Sequence, residues 1–70
     1  MAVQQRSEET RQRILLAAQA SFAQQGYEKA AVSGICERAG VSKGAFYHHF
    51  PTKQAVFLAL LDHWLDGINE

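Results

Sequence analysis

Apolar residues recur along this chain at spacings of three and four, and nowhere alternate long enough to make a strand. From about Glu8 to Gln25, Ile14, Leu15, Ala18 and Phe22 recur at helical spacing, and Glu8 and Glu9 suit the positive end of the helix dipole. Gly26 is a good C-terminal stop. A second, short helix is predicted over Val32–Ala39, where Val32, Ile35, Cys36 and Ala39 occupy positions i, i+3, i+4 and i+7 of one face. The turn Gly40-Val41-Ser42 precedes a third helix that ends near Phe50, with Phe46 and Phe50 together on its inner face. Pro51 forbids easy continuation, Thr52 can cap, and a fourth helix runs from Lys53 towards the C-terminus. The pattern predicts an all-α chain: a flexible N-terminal arm over residues 1–7, a three-helix unit over 8–53, and a linking helix over 54–70.

The fourth helix carries more apolar surface than one core needs. Phe57, Leu60, Leu61, Trp64, Leu65 and Ile68 form one stripe, and Val56, Leu58 and Ala59 fall off it. A helix that is apolar on nearly every side expects partners on every side. Phe57, Leu60 and Leu61 are expected to close the core, and Trp64, Leu65 and Ile68 to face something outside it.

The chemistry concentrates between Ala39 and Phe50. Gly40 can take the positive φ that ends the second helix, and Ser42 can accept a bond from a free amide of the third. Lys43 and Tyr47 can reach phosphate oxygens, and Gly44 and Ala45 would let the helix backbone approach base edges in a major groove. The same stretch is equally compatible with a capped, half-buried helix bearing ordinary solvated polar residues.

Seventy residues, 47% of them hydrophobic, can build one modest core but no buried active-site cavity. The net charge of zero hides an asymmetry. Residues 1–53 hold all seven Lys and Arg against four acids, whereas residues 54–70 hold three acids and no Lys or Arg. A basic body on an acidic tail suits one end meeting phosphates. The lone Cys36 excludes an internal disulfide and suits a reducing cytosol. No secretory signal pattern opens the chain, and the longest apolar run, Ala55 to Leu61, is far too short to span a membrane.

Catalysis finds little support. Cys36 lies on an apolar stripe and reads as a small core residue. His48 and His49 point ~100° apart around a helix and cannot both face one metal without distortion. Ser33 and Ser42 read as caps, and Tyr27 as a packing residue. No cofactor and no metal is expected.

The combination Thr10-Arg11, Ile14-Leu15, Ala17-Ala18, Phe22 and Gly26-Tyr27, followed by Ile35, Ala39-Gly40-Val41-Ser42-Lys43-Gly44, Tyr47-His48-His49-Phe50 and Lys53, closely resembles the N-terminal DNA-binding domain of TetR-family transcriptional regulators. The likeness covers about residues 8–57 and matches in order, spacing and residue type. It implies a helix-turn-helix made of the second and third helices. Ser42, Lys43, Gly44, Ala45 and His48 would then face the groove, and Tyr47 and Lys53 would contact phosphates. Arg11 is either a further backbone contact or a solvated arginine. The resemblance also implies that the fourth helix leads into a C-terminal all-α domain, absent from these seventy residues, that binds a small effector and forms the homodimer. The chain is thus expected to be an isolated module cut within or just after the fourth helix.

Two positions depart from the family pattern. The second helix would ordinarily start on a hydroxyl residue that caps it and touches phosphate, but Ala30-Ala31 stand there. Unless Ser33 caps a shifted helix start, that loses ~1 kcal/mol. Gly34 inside the helix costs a further ~1 kcal/mol against alanine. The resulting expectation is duplex DNA binding within a dimeric, effector-responsive, cytoplasmic repressor. The alternative is a helical protein-interaction module working through the apolar surface of the fourth helix.

Overall fold

The computed structural model describes residues 2–68, with side chains described from Ser7 to Leu65. Four helices, with no strand among the described residues, follow in order: α1 (Ala2–Gln25), α2 (Val32–Ala39), α3 (Lys43–His49) and α4 (Lys53–Ile68). The bounds of α2 and the starts of α3 and α4 fall where the sequence places them. The start of α1 differs. It begins at Ala2 and takes in most of the stretch expected as a flexible arm. That stretch holds no Gly or Pro to stop a helix, and Ala, Gln and Arg all favour one.

Helix α1 is the post against which the others pack, and it touches each of them. Its Ile14, Leu15, Ala17 and Ala18 join Ile35 and Cys36 of α2, Phe46 and Phe50 from the third helix and its end, and Val56 and Leu60 of α4 in one buried cluster. Phe46, Ile14, Ile35 and Val56 are the largest wholly buried side chains. Each contributes about 1.5–3 kcal/mol of burial. Beside this cluster, Phe22 and Phe57 close around Tyr27, with ring centroids 5.3 and 5.1 Å from the tyrosine. Tyr27 is a packing residue, as its place after Gly26 suggests.

On α4 the structure corrects the reading of faces. Val56, placed off the apolar stripe, is wholly buried, and Leu60 joins it one turn on. Phe57 turns sideways into the Tyr27 cluster, and Leu61 is only half-buried. Where apolar residues surround a helix, periodicity leaves several faces equally good, and contact with α1 picks one. Trp64 and Leu65 are exposed at 42% and 55%, and so is Leu58 at 55%. The side chain of Ile68 lies outside the described residues.

Helix α2 starts as its sequence warns. Ala31 occupies the N-cap in an extended conformation (φ −112°, ψ 151°) without a side-chain bond, and Ser33 lies inside the helix. Gly34 is exposed, and a Cβ built on it meets nothing within 4 Å. Gly34→Ala is therefore expected to stabilise the chain by up to ~1 kcal/mol, a few degrees in Tm. Thermal unfolding followed by circular dichroism checks this, and a lower Tm would contradict the placement of α2.

Candidate nucleic-acid interface

The turn between α2 and α3 is held by its own backbone. Gly40 adopts the left-handed region (φ 72°, ψ 35°), which costs a glycine little. Its N–H donates to the Glu37 carbonyl at 3.3 Å, and the Val41 N–H donates to the Cys36 carbonyl at 3.0 Å. This paired arrangement satisfies carbonyls that the end of α2 would leave free. Ser42 then caps α3, its Oγ accepting the Ala45 N–H at 3.1 Å. Cys36 Sγ approaches the Ser42 carbonyl at 3.9 Å from the buried side. Burial pushes the Cys36 thiol above its usual range, with the Lys43 charge a smaller opposing influence. It is an inert core thiol.

Helix α3 has two sides of opposite character. Phe46 is fully buried, and Phe50, just past the helix end, is 4% exposed. Their rings lie 6.2 Å apart. At ~100° per residue, Gly44 and His48 fall opposite this anchor, and both are exposed. Lys43 and Tyr47 share one flank, also exposed, with the tyrosine ring edge-on to Phe46 at 5.3 Å. Ala45 sits half-buried on the other flank. Six residues proposed from sequence, Ser42, Lys43, Gly44, Ala45, Tyr47 and His48, are thus brought to one short helix and its cap.

The neighbouring histidines part company. His48 is exposed, whereas His49 is half-buried beside α1. Desolvation lowers the His49 pKa below the ordinary histidine range, aided by His48 and Arg11 and opposed by Glu8. The charged form of His49 is thus disfavoured by its surroundings. The Arg11 guanidinium carbon lies over the Phe50 ring, 5.3 Å from its centroid. Sequence reasoning also missed the bond from Arg38 to Gln24 Oε1 at 2.8 Å, which ties α2 to α1. No local pattern signals a partner fourteen residues away.

Lys53, which the resemblance implies as a phosphate contact, has its ammonium engaged within the fold. Its ammonium turns inward, donating to the carbonyls of Tyr27 at 2.6 Å, Ala30 at 3.0 Å and Glu28 at 3.4 Å. It also lies over the Tyr27 ring, 4.2 Å from the centroid. The helix it starts is capped by Thr52, whose Oγ1 accepts the Ala55 N–H at 3.0 Å.

A short cap, a tight glycine turn and an anchored helix with a bare outer face are the parts of a helix-turn-helix. The family model of bacterial regulatory proteins, tetR family, matches residues 14–60, from the buried Ile14 of α1 to the buried Leu60 of α4. The chain belongs to the TetR family. Among similar proteins, the A-factor receptor protein of Streptomyces griseus is 47% identical over 62 residues, covering 89% of this chain and 22% of that protein. The transcriptional repressor AcnR of Corynebacterium efficiens is 49% identical over 51 residues, or 73% of this chain and 27% of AcnR. The transcriptional activator FasR of Mycolicibacterium smegmatis is 39% identical over 61 residues, or 87% of this chain and 28% of FasR. The chain spans about a quarter of the length of these curated relatives. No solved structure matches it. Membership of the TetR family makes this module a DNA-binding one, of the kind used in transcription regulation. The alternative of a protein-interaction module is not favoured. Among the described residues, no helix is long and apolar enough to cross a membrane.

Proposed function

We propose that this chain is the DNA-reading module of a homodimeric, effector-responsive repressor that works in the cytoplasm and catalyses no reaction. An effector bound to a C-terminal domain beyond these residues changes the spacing of two α3 helices, and that spacing sets operator affinity. Arg11, Ser42, Lys43, Gly44, Ala45, Tyr47 and His48 form the DNA-facing set. Lys53, whose ammonium the fold holds against the loop before α2, completes the set as a phosphate contact. Two named relatives bear on the sign of regulation, one a repressor and one an activator, and repression is the reading adopted.

The observation that carries this reading is the exposed glycine in the first turn of α3, on the side opposite Phe46. A Cβ at Gly44 would meet only Ser42 Oγ, at an ordinary 3.8 Å. Nothing within the fold requires a bare backbone there, and glycine in a helix costs up to ~1 kcal/mol. The reason for it lies outside the chain, in the close approach of a groove edge. Phe46 and Phe50 hold that face in place from behind.

The test is a salt series. Lys43→Ala should lower DNA affinity and reduce the slope of log K against log salt by about 0.9, the signature of one lost phosphate contact. Tyr47→Phe should weaken binding by about 1 kcal/mol, roughly fivefold, through one lost hydrogen bond. Both variants should unfold within about 0.5 kcal/mol of the parent chain, since neither side chain is part of the core. Loss of helical content in either one would show that it faces inward.

A further inference from the structure

We propose that this module takes up a proton when it binds DNA, at His48 on the outer side of α3, so that its affinity rises as the pH falls from about 8 to about 6. The proposal rests on the DNA-reading role of α3. The exposed outer side of α3 carries one fixed cation, Lys43, beside the polar Tyr47 and His48. A histidine is the side chain whose charge a neighbouring anion can change near neutral pH. A phosphodiester keeps its negative charge throughout this range, so the proton comes from solvent and is held on the imidazole.

The histidine pair decides where that proton goes and why it is one. The rings of His48 and His49 lie edge to face with centroids 5.1 Å apart. Two imidazolium charges at that separation repel, so the pair accepts one proton far more readily than two. The surroundings choose between them. His49 is half-buried, its ring 6.4 Å from that of Phe50, over which the Arg11 guanidinium lies. Burial, His48 and Arg11 all disfavour charge on His49, and Glu8 opposes them. Glu8 and Arg11 are thus the charged groups that reach the pair from α1. On α2, also packed against α3, Arg38 is turned to Gln24 and Glu37 is exposed. His63 of α4 lines a groove with Arg11 and Asp62, away from the outer side of α3. His48 is exposed opposite Phe46, in the last turn of α3, where the carbonyl end of a helix favours a cation. A phosphate backbone laid on that side adds negative charge next to His48, while His49 stays under the fold.

Titrations of the seventy-residue chain with a short mixed-sequence DNA duplex, at about pH 8 and about pH 6, read this linkage. Affinity should rise roughly three- to tenfold over that interval, the range open to a single histidine. The slope of log K against log salt should be steeper at the lower pH by as much as about 0.9, the mark of one further neutralised phosphate. Calorimetry in two buffers of different ionisation enthalpy counts the proton on the wild-type chain, with no variant needed. His48→Gln keeps a polar donor that cannot titrate, and should lose the pH dependence, the change of slope and the proton uptake together. His49→Gln and His63→Gln should keep all three. Circular dichroism at both pH values checks that each chain compared is equally helical. Wild-type affinity and slope that are the same at the two pH values, with no proton taken up, would overturn the proposal. A pH dependence that survives in His48→Gln, or vanishes in His49→Gln, would also overturn it. If wild-type binding did not respond to salt at either pH, the DNA-reading role would fall and the proposal with it. Salt-sensitive binding without proton uptake removes the linkage alone.

Discussion

Phe46→Ala should cost the module about a third or more of its stability. Phe46 is wholly buried and is the largest such side chain in the core. Its ring meets Phe50 at 6.2 Å and Tyr47 at 5.3 Å. Truncating a buried phenylalanine costs about 3–5 kcal/mol, from lost burial and from the cavity left behind. A domain of this size has on the order of 4–10 kcal/mol in total. One substitution therefore removes a third or more of the stability, and in the lower part of that range all of it. Phe50→Ala should act in the same direction and also deprive Arg11 of the ring beneath it. Far-UV circular dichroism on heating is the measurement, with a lost or strongly lowered cooperative transition as the expected result. A melt close to that of the parent would mean that α3 is not anchored through these rings. DNA binding should fall in these variants in step with the folded fraction, unlike in Lys43→Ala.

Joining two copies through the end of α4 should raise affinity for paired half-sites on the order of a hundred- to ten-thousand-fold over one copy. The gain should appear when half-site centres lie about 34–36 Å apart, one turn of the duplex, or a multiple of that. The physical reason is how little one copy offers. Helix α3 has seven residues. Of those on its outer sides, only Lys43, Tyr47 and His48 carry polar side chains, because Gly44 and Ala45 present backbone and a methyl group. One such helix discriminates weakly, and the surplus of three positive charges over residues 1–53 adds only modest attraction. Anisotropy titrations of single and joined copies, on duplexes with one half-site or two, measure the effect. Affinity indifferent to half-site spacing would remove the dimeric mode of reading.

Much of the architecture was legible because its causes are local. Gly40 ends α2 through a left-handed φ, Ser42 and Thr52 cap the helices that follow them, and Phe46 and Phe50 mark the inner face of α3 by their spacing. Each signal acts within about one turn of chain, and so it can be read from neighbouring residues. The exposed set on α3 followed from the same spacing. The start of α1 was less legible, since no residue before Glu8 forces a helix to begin there or forbids an earlier start.

Only the tertiary structure decided where the longer reaches end. Periodicity could not choose which side of an almost wholly apolar α4 faces α1, and the packed chain selected Val56 and Leu60. Arg11 found the ring of Phe50 across two helices. Lys53, a cation at a helix start and so a natural candidate for a phosphate, is held against three carbonyls of a distant loop. Composition and spacing set which groups a residue can bind. The direction of a long, flexible side chain depends on which unsatisfied partners the fold brings within its reach, and a loop of bare carbonyls next to an aromatic ring outcompetes open water.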